Sequence, residues 1–339
     1  MAFAIADLAR PALTDAFGRR IDYLRLSVTD RCDLRCTYCM AANPQFLPRA
    51  DLLSTDELVG IAHAFIDSGI RTIRLTGGEP LVRRDIDSIA RAIGARLGDG
   101  LDQLTMTTNA TLLDRHAVAL AEAGIRRLNI SLDTLDPARF HTITRRGAIA
   151  DTLRGIDAAD QAGMAIRINM VAMAGVNDKD LPAMVDWCEE RGFDLALIES
   201  MPMGSVDDNR SERHVRLSEF IAPLLAGTDL QPLAHTTAGP ARYVALPGRA
   251  LRLGLITPIS HNFCALCNRI RLSADGKVHG CLGHDAAIDL SAAWRRDGAA
   301  GIVPLIDHLM RTKAEKHEFA IGKGLAERGP TRHMHATGG

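Results

Sequence analysis

Hydrophobic and polar positions change period along this chain, and those changes divide it. Short apolar runs predict strands at residues 23–28, 72–75, 104–107, 127–131, 166–171 and 195–198. Helical spacing fills the intervals between them. Ser54-Thr55-Asp56-Glu57 is a start signal ahead of Leu58, Ile61, Ala62 and Phe65. Further helices are predicted over 114–123, 152–162 and 180–191, each stopped by a glycine at 124, 163 or 192.

Six β–α units in series imply parallel strands joined by right-handed crossovers. A closed eight-stranded barrel needs two more units than the pattern contains. The expected fold is therefore α/β, a partial (β/α)6 barrel of the TIM type, in preference to a doubly wound sheet. Either arrangement sets ligands at the C-terminal strand ends. The polar punctuation falls there: Cys32 after the first strand, Gly77-Gly78-Glu79-Pro80 after the second, Thr107-Thr108-Asn109 at the third, Ser131-Leu132-Asp133 at the fourth and Glu199-Ser200-Met201 at the sixth.

Beyond about Gly204 the pattern changes. Residues 206–215 are polar and charged, and a surface loop is expected. Residues 241–277 have hairpin features, with Ala274-Asp275-Gly276-Lys277 as a turn. The expected organisation is an N-terminal extension (1–20), a barrel (21–240) and a C-terminal region (241–339). From Arg311 the tail carries a net charge of +3 and, taken by itself, reads as a solvated terminus.

Composition narrows the function classes. Forty basic against forty-one acidic residues give a net charge of −1, far from the basic excess of a polyanion-coating protein. Aromatics are 4%, which argues against a platform that stacks many bases. A nucleotide bound here is expected to be a small ligand in a pocket. The start lacks the basic n-region of a signal peptide, and no apolar run approaches a membrane span, so a cytoplasmic protein is expected.

Seven cysteines fall as two trios and one stray, Cys188, which reads as a buried small hydrophobe on a helix. An odd count without a secretion signal is a poor disulfide framework. Short spacing points to metal ligation, and three thiolates leave one position of a tetrahedral or cubane site open.

The first trio, Cys32-x-x-x-Cys36-x-x-Cys39 with Tyr38 before its last cysteine, resembles the motif of the radical S-adenosylmethionine family. In that family three thiolates hold a [4Fe–4S] cluster, and the open iron takes the amino and carboxylate groups of S-adenosylmethionine. The cluster then delivers one electron to the sulfonium and releases a 5′-deoxyadenosyl radical, chemistry that belongs to the cofactor. A structural zinc loop is the alternative, and it needs a fourth ligand that no nearby Cys or His obviously supplies. Gly77-Gly78-Glu79-Pro80 resembles the family element that takes the methionine ammonium: Gly78 allows close backbone approach, and Glu79 suits a buried cation. The resemblance also implies that Ser131 and Met201 line the S-adenosylmethionine site, with Tyr38 near the adenine.

The second trio, Cys264, Cys267 and Cys281, stands in a stretch from Gly254 to Gly276 that is similar to the GTP 3′,8-cyclase family of molybdenum cofactor biosynthesis. The similarity runs from Asp22 to the closing Gly338-Gly339. It implies a second [4Fe–4S] cluster whose open iron binds the guanine base. It further implies hydrogen abstraction from the 3′ carbon of GTP, attack of the ribose radical on carbon 8, and (8S)-3′,8-cyclo-7,8-dihydroguanosine 5′-triphosphate as product. Carried over by position, Arg25, Arg74, Thr107, Arg167, Arg269, Ile270 and Arg271 contact GTP. Arg269, Arg271, Gly338 and Gly339 carry catalytic roles. Guanidinium forks suit a triphosphate.

Arg167 stands where the family often has Lys, and two departures stand out: Ala196 replaces a frequent Arg, leaving one contact absent or supplied elsewhere, and the end, Met334 to Gly339, keeps the family's double glycine but not its usual flanking residues. The family also implies a homodimer, an external electron donor and a downstream cyclic pyranopterin monophosphate synthase. Two rivals remain: a peptide-modifying radical S-adenosylmethionine protein, typically richer in cysteine, and a zinc-stabilised scaffold. His261, His279 and His284 near the second trio read as loop residues, with His284 still open as a ligand.

Overall fold

In the computed structural model, residues 12–206, 209–225 and 229–338 are described. Strands β1 (Tyr23–Ser27), β2 (Thr72–Thr76), β3 (Gln103–Thr108), β4 (Arg127–Ser131), β5 (Ala165–Ala172) and β6 (Asp194–Glu199) stand side by side in chain order. Every neighbouring pair among them is parallel. Between them come α1 (Thr55–Asp67), α2 (Ile86–Gly94), α3 (Ala117–Glu122), α4 (Pro137–Thr144), α5 (Ile149–Gln161) and α6 (Leu181–Glu190). Sequential order with crossovers of one hand sets the helices on one face, and the sheet curls around the other.

Local chemistry accounts for these elements. Ser54 and Glu57 form the capping box of α1, with Glu57 N–H donating to Ser54 Oγ (3.2 Å) and Ser54 N–H to Glu57 Oε2 (2.8 Å). The stretch expected as one helix over 114–123 is a 3-10 turn, Leu113–Arg115, followed by α3. Helices α2 and α4 were not among the predicted elements, although α2 buries Ile86, Ile89, Ala90 and Ile93 at helical spacing; α4 buries only Phe140, Ile143 and Thr144.

Along the strands apolar and polar residues alternate. Leu24, Leu26, Ile73, Leu75, Leu128 and Ile130 face outward and join the core with Leu58, Ile61 and Phe65 of α1. Tyr23, Arg25, Arg74, Asn129 and Arg167 face inward. Strands of an all-parallel sheet usually read as apolar on both faces. Here the lumen is a polar chamber rather than a packed core.

The C-terminal strands extend this same sheet at both edges. Their ranges are β7 (Gln231–Pro232), β8 (Arg242–Ala245), β9 (Arg252–Ile256), β10 (Arg269–Leu272), β11 (Lys277–His279) and β12 (Ile288–Asp289). β9 pairs parallel with β6, and β10 pairs parallel with β1. Eight parallel strands therefore stand together, two more than the β–α pattern contains. The extra pair arrives as arms of the β8–β9 and β10–β11 hairpins rather than through crossover helices. Among the described residues no ladder joins β9 to β10, so the barrel stays open.

The remaining helices are α7 (Arg210–Arg213), α8 (Leu217–Leu225), α9 (Ser291–Asp297), α10 (Ala299–Thr312) and α11 (Met334–Thr337). The stretch 206–215 is not simply a surface loop. It contains α7, whose Arg210 is buried and donates to the carbonyls of Met203 (2.9 Å) and Gly204 (2.8 Å). Cys188 is buried in the core, and no described helix is long and apolar enough to cross a membrane.

Candidate active site

The loop after β1 is zipped to the loop after β2. Val28 N–H donates to Thr76 O (2.9 Å), Gly78 N–H to Thr29 O (2.9 Å) and Glu79 N–H to Arg31 O (2.8 Å). A Cβ on Gly77 or Gly78 would lie 2.4 Å from the Thr29 or Arg31 carbonyl oxygen, so the glycine pair is what permits the approach. The same loop carries the first trio, and Cys39 N–H donates to Cys36 O (3.0 Å) in the turn between the last two cysteines.

Glu79 is buried beside this loop and accepts from Thr108 Oγ1 (2.7 Å), Asn109 N–H (2.6 Å) and Leu81 N–H (3.1 Å). Burial, then the Asp33 carboxylate, push its carboxyl up to about 8 against those donors. An arriving ammonium would restore its charge. Burial also pushes up all three thiols, Cys39 to about 12. Such thiols become thiolates only when a metal supplies the positive charge.

These groups line an upper chamber of about 1040 Å³, together with Tyr38, Thr107, Ser131 and Met201. Tyr38 donates its hydroxyl to Asp133 Oδ2 (2.8 Å). The tail reaches the same chamber: Met334 and His335 of α11 line it, and Gly338 is buried against β2. A Cβ on Gly338 would meet Thr76 Oγ1 at 2.3 Å, and its φ of +75° favours glycine as well. The end of the tail, Met334 to Gly338, is therefore docked rather than solvated, whereas residues 323–329 are exposed and Gly339 lies outside the described residues.

A lower chamber of about 940 Å³ lies deeper in the lumen and shares Asn169, Ile198 and Met201 with the upper one. Strand register assembles its cations. Arg271 on β10, Arg25 on β1 and Arg74 on β2 are direct neighbours in one row, and Arg269 stands beside Tyr23 in the next. Arg269 and Arg74 also stack on the Tyr23 ring at 5.5 and 5.8 Å. Burial first, then Arg271 and Arg74, push Arg25 well below the usual guanidinium range; burial and then Arg269 take Arg271 down to about 10. Guanidinium groups keep their protons, so these shifts express first the cost of burial and then mutual repulsion. Nε of Arg25, Arg167, Arg269 and Arg271 and Oδ1 of Asn129 and Asn169 are buried without a hydrogen-bond partner. A polar, anionic occupant fits such a wall.

The second trio closes the floor of this chamber. Cys267 sits just before β10, and the β10–β11 register, Arg271 opposite His279, continues to place Cys281 opposite Arg269. The hairpin thus explains the long spacing between the two cysteines. Because β10 runs parallel to β1, Cys267 lies at the N-terminal end of the barrel and Cys32 beyond its C-terminal end. That corrects the expectation of ligands at the C-terminal rim only. The physical reason is that β10 joins the edge of β1 from outside the β–α series. The five residues of β1 separate the two ends by roughly 16 Å.

Not every residue singled out in the sequence reaches these chambers. The Ile270 side chain is fully buried in the core on the opposite face of β10 from Arg269 and Arg271, so a side-chain contact to a ligand is corrected. Thr107 lines the upper chamber and accepts from Arg74 Nη1 (3.3 Å). His284 Nε2 is paired with the Lys316 carbonyl (2.8 Å) rather than with the trio. Other lining residues went unnoticed. Tyr23, Asn129 and Asn169 share strand parity with Arg25, Ser131 and Arg167, so alternation could have found them. Tyr243, which lies outside both linings but accepts from Arg167 Nη1 (2.8 Å), had no such signal.

The donor sets fit iron–sulfur clusters. Among the described residues, no three Cys, His, Asp or Glu stand close enough to share a single ion. A cubane asks for wider spacing, since each thiolate takes its own iron.

A cysteine trio and a glycine pair with a buried carboxylate, at the mouth of a partial barrel, define the radical S-adenosylmethionine class. The profile of the Radical SAM superfamily matches residues 26–188, and that of Molybdenum Cofactor Synthesis C matches 193–319. Streptococcus suis SuiB bound to S-adenosylmethionine shares the fold, with a TM-score of 0.58 at 18% identity, over 86% of this chain and 68% of that one. Curated relatives are far more similar. The GTP 3′,8-cyclase of Erythrobacter litoralis (strain HTCC2594) is 51% identical over 98% of this chain and all of its own length. That of Rhizobium etli (strain CIAT 652) is 48% identical over 96% of this chain and 94% of its own. The chain belongs to the GTP 3′,8-cyclase family of radical S-adenosylmethionine enzymes.

Proposed function

We propose that this chain converts GTP to (8S)-3′,8-cyclo-7,8-dihydroguanosine 5′-triphosphate, the first step of molybdenum cofactor biosynthesis. The observation that carries the reading is the pair of chambers meeting at Asn169, Ile198 and Met201, one built for S-adenosylmethionine and one lined with arginines. Cys32, Cys36 and Cys39 would hold the first [4Fe–4S] cluster, and Cys264, Cys267 and Cys281 a second. When bound, the first cluster with S-adenosylmethionine supplies a carbon-centred radical able to abstract hydrogen.

The chain's own residues position and enclose. Glu79 takes the methionine ammonium beside the Gly77–Gly78 backbone, and Tyr38, Ser131 and Met201 line the rest of that ligand. Arg25, Arg74, Arg167, Arg269 and Arg271 neutralise the triphosphate, and Thr107 holds Arg74 in place. Met334, His335 and Gly338 cover the upper chamber and exclude water from a reactive centre. Near Ala196, the ring of Tyr243 closes on Gly254, and Arg167 on the neighbouring strand supplies a guanidinium. We assign the missing family arginine's contact to Arg167.

By the same family reading the protein works in the cytoplasm as a homodimer. It draws electrons from an external donor and passes its product to a cyclic pyranopterin monophosphate synthase. The test is an anaerobic turnover of reconstituted protein with reductant, S-adenosylmethionine and GTP deuterated at the 3′ position. Deuterium is expected in 5′-deoxyadenosine. Deoxyadenosine without deuterium would remove GTP as the substrate, and none at all would remove the radical reading.

A further inference from the structure

Three buried or half-buried cations hold the second trio, one to each cysteine. Arg19 donates Nη1 to Cys264 O (2.8 Å), and Arg332 donates Nη2 to Cys281 O (3.0 Å). Lys313 donates Nζ to Gly280 O (2.6 Å) and reaches Cys267 Sγ at 3.8 Å. Of the three, Lys313 alone addresses a sulfur. It follows the last residue of α10, is 3% exposed, and so is aimed by a packed helix rather than by a free loop. Its two contacts lie on opposite arms of the β10–β11 hairpin, Cys267 before β10 and Gly280 after β11.

We infer that Lys313 is a positioning residue for a [4Fe–4S] cluster on Cys264, Cys267 and Cys281: it ties the two arms that carry the ligands and favours the cluster's reduced state. This rests on reading the second trio as a cluster site. One-electron reduction by an external donor adds a negative charge shared among iron, sulfide and thiolate. A buried ammonium donating to a ligating sulfur stabilises that added charge more than the oxidised form, so it moves the potential upward. Among the described residues no cation donates to a sulfur of the first trio. Asn109 Nδ2, a neutral donor, approaches Cys32 Sγ at 3.9 Å, beside the Asp33 carboxylate.

The test uses the full reconstituted chain and its Lys313→Met, Lys313→Gln and Lys313→Arg variants. Iron and sulfide are counted, and a redox titration with dithionite and mediators is followed by electron paramagnetic resonance. The second cluster's signal is the one lost in Cys267→Ser. Wild type should hold about eight irons, two cubanes. At the wild-type midpoint, the reduced-to-oxidised ratio of that signal should fall about tenfold in the Met and Gln variants, the size of one charge-assisted hydrogen bond. The Arg variant should stay close to wild type. Loss of the second cluster in Met and Gln but not in Arg would equally support the tie.

An unchanged midpoint in fully loaded Met and Gln variants overturns the inference. Loss of the cluster in all three variants overturns it too, since shape rather than charge would then be required. Four irons and a single signal in wild type would instead sink the reading of the second trio itself, before any variant is considered.

Discussion

Arg25 stands between Arg271 and Arg74 on neighbouring strands, with Arg269 one row away, and none of them meets a carboxylate among the described ion pairs. Such a row is stable only because β1, β2 and β10 fix it and because an anion relieves it. Arg269→Ala and Arg271→Ala should each weaken GTP binding about tenfold or more, the range of a charge-assisted contact. Iron content should not move. Calorimetry on the loaded protein reads both, and wild-type GTP affinity in both variants would remove these residues from phosphate binding. Arg25, Arg74 and Arg269 could be seen in the sequence through the family resemblance and their places beside strands and cysteines, since any one arginine taken alone reads as a surface ion pair. Ile270 shows the limit of carrying roles by adjacency: one residue along a strand is the opposite face.

At the scale of elements, α11 gives the clearest case of tertiary override. Its four residues have no helical signal, yet His335 is 5% exposed, edge-on to Phe46 at 5.8 Å and stacked on His333 at 5.4 Å. Burial, then His333 and Arg35, push its imidazole down to about 4 from an ordinary 6.5. The docked tail therefore prefers neutral His335. Docking is at full strength above pH 6.5, and weakens as pH falls from there towards about 4. Protection of amides over residues 320–338, taken relative to the intrinsic exchange rate at each pH, should fall between pH 7.5 and 5, and His335→Gln should flatten that response. Equal protection of the wild-type tail at both values would refute it. The long elements β1–β6, α1, α5 and α6 were readable because each repeats its period several times. In the C-terminal region the hairpin features over 241–277 and the turn at 274–277 were readable and correspond to β8–β9 and β10–β11, whereas the two-residue β7 and β12 and the distant partners of β9 and β10 were not.

At the scale of the molecule, β1 takes β10 as its edge partner across 246 residues, and no local pattern announces that. The position of the second trio at the opposite end of the lumen was hidden for the same reason, although its chemistry was plain from three cysteines and two arginines. What joins the ends is a partition of three side chains, Asn169, Ile198 and Met201, each facing both chambers.

Two ligands that press on one wall are predicted to change one another's affinity. Whatever factor S-adenosylmethionine imposes on the dissociation constant of GTP, GTP must impose on that of S-adenosylmethionine, because the four binding equilibria close a cycle. The two factors should differ from one and agree with each other, and Met201→Ala should bring both towards one together. A factor of one in wild type would mean that the partition transmits nothing. Any single dissociation constant measured for this protein then describes a pair of ligands, and has meaning only when the concentration of the other is stated.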